Sequence, residues 1–167
     1  MRHPSLTSLY KLQAGVLSVG TLFAWYTVYV DFSRFYHFYG TLFRTQDCVI
    51  PNPVTTPCFY GAFAFLAAFI WSLTILRDDA LKRGVRQKKL HLLLIASVLF
   101  AWSNFSWSAY KFYTVTVGPR VACSGVPAEN IFSTPCFIGA SIFLTAFLVS
   151  VFILRNTPQT NSPERIV

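Results

Sequence analysis

The chain has 167 residues, 54% of them hydrophobic and only 12% charged, with a formal net charge of +8. A soluble domain of this length carries about one-quarter charged residues, so the composition excludes an ordinary water-soluble globule and places the chain in a bilayer. The positive charge would suit nucleic acid, but its placement along the chain is explained by membrane topology, which excludes nucleic acid as a partner.

A short basic segment with Arg2 and Lys11 leads into a first apolar stretch, Leu12 to Val30. It has no small-x-small cleavage site at a convenient distance and runs for a full span, so it reads as an uncleaved helix rather than a secretory signal. A first loop from Asp31 to Pro57 precedes the second stretch, Cys58 to Leu76. A tight basic loop joins this to the third, Leu90 to Tyr110. A second long loop, Lys111 to Pro135, leads to the fourth, Cys136 to Leu154, and the polar tail 156–167 is expected to be disordered. Each stretch is close to the ~20 residues a helix needs to cross the hydrocarbon core, and none contains Asp, Glu, Lys or Arg. Backbone groups in lipid must be satisfied within the segment, so the predicted class is all-α: a polytopic membrane four-helix bundle.

The second half repeats the first. Thr-Pro-Cys-Phe-Tyr-Gly-Ala at 56–62 returns as Thr-Pro-Cys-Phe-Ile-Gly-Ala at 134–140, and the match runs on to Ile75-Leu76-Arg77 against Ile153-Leu154-Arg155. Upstream, Leu22-Phe23-Ala24-Trp25 matches Leu99-Phe100-Ala101-Trp102. The chain therefore reads as one membrane domain of two tandem transmembrane hairpins, repeat 1 about 9–77 and repeat 2 about 88–155. A period this long lies outside the solenoid range. Two hairpins of the same orientation are related by a pseudo-two-fold axis along the membrane normal, and a site on that axis would be built from equivalent positions.

Ten of the 14 Lys and Arg fall on one side if the N-terminus faces inward: Arg2, Lys11, Arg77, Lys82, Arg83, Arg86, Lys88, Lys89, Arg155 and Arg165. The positive-inside rule then puts both termini in the cytoplasm, with anionic headgroups as further company for the basic cluster. Short loops and small size fit a prokaryotic plasma (inner) membrane, though an endoplasmic reticulum membrane satisfies the same charge rule.

In the first loop, Phe32, Phe35, Tyr36, Tyr39 and Phe43 recur at helical spacing. This predicts either an extension of the first helix or an interfacial helix, with its rings in an aromatic belt. Small residues four apart, Gly20 and Ala24, then Ala64, Ala68 and Ser72, then Ala146 and Ser150, mark faces where helices approach closely. The third stretch holds the most polar run, Ser103-Asn104 with Ser106 and Ser108, flanked by Trp102 and Trp107. Asn104 reads either as an interhelical hydrogen bond or, with Trp102 and Trp107, as part of a pocket.

All four cysteines, Cys48, Cys58, Cys123 and Cys136, fall in or at the edge of the two long loops, the side opposite the positive charge. An even number in an oxidising compartment favours disulfides. Cys48 with Cys58 and Cys123 with Cys136 follows the duplication, and Cys58 facing Cys136 across the pseudo-axis is the other arrangement. No Cys-x-x-Cys or histidine cluster accompanies them, so no metal site is expected. Thr56-Pro57-Cys58 and Thr134-Pro135-Cys136 read as N-cap, N1 and N2 of the second and fourth helices. The dipole and unpaired amides of such a terminus stabilise a thiolate, making Cys58 and Cys136 better nucleophiles or leaving groups, with Cys48 and Cys123 as resolving partners. The structural account is equally direct, because closing loops of this length contributes roughly 3 kcal/mol through chain entropy.

Four helices, cytoplasmic termini and two extracytoplasmic cysteine pairs resemble the membrane thiol oxidoreductases, the bacterial disulfide-generating proteins and the vitamin K epoxide reductase family. Those families carry a Cys-x-x-Cys at the quinone, whereas here the spacings are ten residues from Cys48 to Cys58 and thirteen from Cys123 to Cys136. The resemblance implies an extracytoplasmic thiol–disulfide oxidoreductase coupled to a membrane quinone, with a soluble thioredoxin-like partner. Cys58 or Cys136 would face the quinone, in a pocket with Asn104, Trp102 and Trp107. The rival reading is a non-catalytic membrane scaffold or assembly protein with structural disulfides in its two outer loops. No Asp, Glu, Lys or Arg lies within the four stretches, which speaks against an ion or proton transporter.

Overall fold

The computed structural model describes residues 6–42, 50–114 and 127–157, the side chains of 80 and 81 excepted. Of the expected disordered tail 156–167, Asn156 is the last residue of the fourth helix and Thr157 its cap, and the rest lies outside the described residues. Four helices make up the bundle: α1 Leu6–Tyr39, α2 Pro57–Arg77, α3 Ala80–Thr114 and α4 Pro135–Asn156. All four are long and apolar enough to cross a membrane. The fold is an all-α four-helix bundle, and its apolar exterior identifies an integral membrane protein. Val19, Leu22, Tyr26, Tyr29, Leu99 and Phe152 all stand exposed on its surface, where lipid is their natural solvent. Hydroxyls within the helices are satisfied locally, as lipid requires: Thr21 donates to the Leu17 carbonyl at 2.7 Å and Ser97 to that of Leu93 at 2.8 Å.

Two helices outrun their expected limits. The first loop was expected to begin at Asp31, but α1 continues to Tyr39, the first of the two alternatives the aromatic spacing allowed. Packing explains the extension: Phe35 is fully buried, its ring 4.7 Å from Tyr39, and Phe32 lies 6.1 Å from Phe59 of α2. The helix stops at Gly40, whose positive φ of 66° lets its N–H reach back to the Tyr36 carbonyl at 2.8 Å. Phe43, the last of the aromatic series, lies outside the described residues. Likewise α3 begins at Ala80 rather than near Leu90 and ends at Thr114 rather than Tyr110. The basic residues of the supposed loop are good helix formers and stand on its first three turns. Only Asp78 and Asp79 separate α2 from α3. Arg83 secures that turn by donating to the carbonyls of Asp78 (2.7 Å) and Leu76 (3.3 Å), and Arg86 pairs with the Asp78 carboxylate at 2.9 Å. A guanidinium is well placed there, because the C-terminus of α2 ends in unpaired carbonyls.

Equivalent residues of the two repeats meet in the core. The Phe65 and Phe143 rings stack at 3.6 Å and 9°. Two helical turns away, Cys58 and Cys136 face each other. Both contacts join a residue to its own counterpart, so the internal two-fold axis runs along α2 and α4. Ala62, Ala68, Ala140 and Ala146 are buried on these helices, and Gly20 of α1 abuts the Phe65 ring. A Cβ at Gly20 would strike that ring and come within 2.9 Å of Ile142, so the small-residue face is a steric requirement here.

At the end of the bundle where α2 turns into α3, a polar cluster lies within the apolar core. The Gln87 amide donates to the Gln13 carbonyl oxygen and to the Ser150 hydroxyl, each at 3.0 Å, and His91 Nδ1 lies 3.0 Å from the same hydroxyl. Gln13, Gln87 and Ser150 are all buried. This cluster joins α1, α3 and α4.

Candidate functional site

Each repeat builds the start of its second helix in the same way. Asn52 caps a 3-10 turn, Pro53–Thr55, by accepting from the Val54 N–H at 3.1 Å. Asn130 does the same for Ile131–Ser133, accepting from Phe132 at 2.9 Å. Thr56 and Thr134 follow in extended conformation, and Pro57 and Pro135 open α2 and α4 as expected. The threonine hydroxyls do not cap these helices as expected. They donate backward into the 3-10 turn, Thr56 to the Pro53 carbonyl at 2.7 Å and Thr134 to that of Ile131 at 2.6 Å. The turn competes for the hydroxyl because its own end carbonyl needs a donor. Cys58 and Cys136 therefore leave a doubly pinned turn as the second residue of each helix.

Their sulfurs lie 3.6 Å apart, within hydrogen-bonding distance and well beyond the bond length of about 2.05 Å that a disulfide between them would have. Cys58 is a free thiol, so the pairing with Cys48 that the duplication suggested is not made. Cys48 and Cys123 lie outside the described residues.

A cavity of about 60 Å³ opens beside the two sulfurs. It is lined in matched pairs by Phe23 and Phe100, Ala24 and Ala101, Pro57 and Pro135, Gly61 and Gly139, and Phe65 and Phe143, together with the cysteines. Its walls thus straddle the internal axis, as a site made of equivalent positions would. The match is incomplete: repeat 1 presents Thr27 where repeat 2 presents Asn104, and Ala140 lines the cavity without its counterpart. The Thr27 hydroxyl is bonded to the Phe23 carbonyl at 3.0 Å, and the Asn104 amide to that of Phe100 at 2.8 Å. Asn104 thus lines the pocket and bonds within its own helix rather than between helices.

The two tryptophans expected beside Asn104 do not line this cavity. Trp102 faces away into a satellite core with Phe105, Phe112, Ile131 and Phe137. Trp107 is exposed, stacked on Tyr110, with the Lys111 ammonium 5.2 Å above its ring. Helical phase explains Trp102, which stands two residues before Asn104 and so on nearly the opposite side of α3.

Several residues of this region escaped the sequence reading. Thr27 was legible as the counterpart of Asn104, and Asn52 and Asn130 as a third matched position ahead of each Thr-Pro-Cys. Asp31 was assigned to a loop. It is buried on the stripe of α1 that also carries Ala24, Thr27 and Phe35, with one carboxylate oxygen 3.4 Å from Arg34. The comparisons with family models, with curated proteins and with solved structures find no match for this chain.

Proposed function

We propose that this is a membrane thiol–disulfide oxidoreductase whose working pair, Cys58 and Cys136, lies on the internal axis beside a small apolar cavity. The observation that carries the reading is the 3.6 Å approach of a free thiol to a second cysteine sulfur at matched helix starts. In this reading Cys136 is one half of a disulfide, and Cys48 and Cys123 are the only remaining cysteines that can supply the other half. Attack by Cys58 on Cys136 would join the two repeats and release the other cysteine for exchange with an extracytoplasmic thioredoxin-like protein.

The lining suits a flat, apolar headgroup: phenylalanines on both walls, with Thr27 and Asn104 as its polar side chains besides the sulfurs. At about 60 Å³ the cavity takes the edge of such a ring, being smaller than the roughly 150 Å³ that encloses benzene. A membrane quinone bound there would supply the two-electron oxidant that restores the disulfide. The chain's own contribution is to hold the sulfurs at the cavity wall and to keep water from it. The charge distribution supports cytoplasmic termini, with the cysteines on the opposite side of a prokaryotic plasma membrane.

Thiol trapping in native membranes tests the reading. The wild-type protein is expected to be partly reduced under mild reductant and to be reoxidised on addition of a quinone, and Cys58→Ser to abolish the response. A single redox state throughout, unchanged by quinone, would leave a scaffold whose loops are pinned by structural bridges.

A further inference from the structure

A second hollow lies away from the sulfurs, on the outside of the bundle where α1 meets α4. It is a groove of about 680 Å³, walled by Ser8, Lys11, Leu12, Gly15 and Val19 of α1 and by Ile142 of α4. That volume is within the roughly 300–1,000 Å³ of small-molecule sites. Leu12 and Val19 are each more than half exposed, so the groove opens to lipid and not to the bundle interior.

The groove exists because Gly15 has no side chain. A Cβ built there meets nothing within 4 Å, whereas at Gly20 it strikes the Phe65 ring. Packing of the described residues therefore requires Gly20 and does not require Gly15, although a helical glycine costs about 1 kcal/mol relative to alanine. Repeat 2 has Leu92 at the matched position, offset by 77 residues, and presents that side chain to lipid. Repeat 1 leaves the same place empty.

Length and charge say what fits it. Ser8 and Val19 are eleven residues apart, so the groove runs about 16 Å along the helix at 1.5 Å per residue. That matches one leaflet of hydrocarbon, about half of a core ~30 Å thick. The charge lies at one end: Lys11 is exposed, makes no ion pair among the described residues, and has no acid in the first turn of its helix. This is the end at which α1 meets the basic start of α3 through Gln13 and Gln87. A second copy docked here about a two-fold axis would set its own Lys11 against this one, a repulsive contact, whereas a phosphate complements it. We propose that the groove is a binding site for one anionic phospholipid of the leaflet at the basic end, with an acyl chain lying over Gly15 and the headgroup phosphate at Lys11.

The test is native mass spectrometry of the full chain released from nanodiscs of equal phosphatidylglycerol and phosphatidylcholine. The wild-type protein is expected to retain one phosphatidylglycerol in preference to phosphatidylcholine. Gly15→Leu, which copies repeat 2, is expected to lose that lipid. Lys11→Gln should lower the preference for phosphatidylglycerol about fivefold, the worth of one basic residue at an anionic surface, and Lys11→Arg should keep it. Lys88→Gln, at the matched position of repeat 2, should change neither. Lys11→Gln carries the test alone if Gly15→Leu does not fold. Equal retention of the two lipids by the wild-type protein would overturn the proposal, as would wild-type retention in Gly15→Leu. An equal loss of preference in Lys88→Gln and Lys11→Gln would overturn it too, because the basic surface as a whole would then hold the lipid. A lipid-free dimer that Gly15→Leu dissociates would give the groove to a second copy instead.

Discussion

Gly20 and Gly15 show how closely a single hydrogen atom can be specified within one helix. A methyl group at Gly20 meets the Phe65 ring, which is itself stacked on Phe143 and has little room to turn. Gly15, five residues earlier, has nothing within 4 Å of a built Cβ. Gly20→Ala is therefore expected to destabilise the bundle by about 1–3 kcal/mol, the usual cost of overpacking. Gly15→Ala should be neutral or slightly stabilising through helix propensity. Thermal unfolding in detergent compares the two directly, and equal shifts would contradict the steric account. At this scale the sequence was legible for Gly20, Ala68 and Ser150, because small residues at helical spacing have one use between lipid-facing helices. It was not legible for Trp102, because being two residues from Asn104 in sequence puts it on nearly the opposite side of the helix.

The caps and turns decide how firmly the sulfurs are held. Asn52 and Asn130 each accept one N–H at the start of a 3-10 turn, and the following threonine closes its other end. Asn130→Ala is expected to cost about 1 kcal/mol and to raise amide exchange across Ile131–Cys136. If exchange there stayed at its original rate, the turn would be held by something other than its cap. The turn between α2 and α3 is a second such device. Arg83→Ala removes two hydrogen bonds to carbonyls at the end of α2 and is expected to expose Leu76–Asp78 to exchange while leaving the cysteine end of the bundle unchanged. Helix existence was readable from four apolar runs, but helix length was not. The basic stretch before Leu90 read as a loop by polarity, yet it opens α3; the aromatic stretch after Val30 read as either an extension of the first helix or an interfacial helix, and packing makes it the extension.

For the molecule as a whole, the buried amides of Gln13 and Gln87 join the two repeats at the end opposite the sulfurs. Gln87→Leu would strand the Gln13 amide in an apolar core, at an expected cost of about 1–3 kcal/mol. Replacing both glutamines by leucine should cost less than the sum of the single changes, because no partner is then left unpaired. Additive losses in a double-mutant cycle would show that the two amides do not depend on each other. The duplication allowed equivalent positions to meet on its axis, as Cys58 with Cys136 and Phe65 with Phe143 do, although the cysteine pairing that followed the repeat was Cys48 with Cys58. It could not predict this amide pair, because Gln13 and Gln87 occupy unmatched positions and meet only where the repeats depart from each other. An internal axis through the cavity has one more effect. A flat molecule lying on it would find the same walls after a half-turn, so shape alone offers it two seats of equal quality. The threonine in one wall and the asparagine in the other make the seats unequal, and a guest would take its direction from such mismatches.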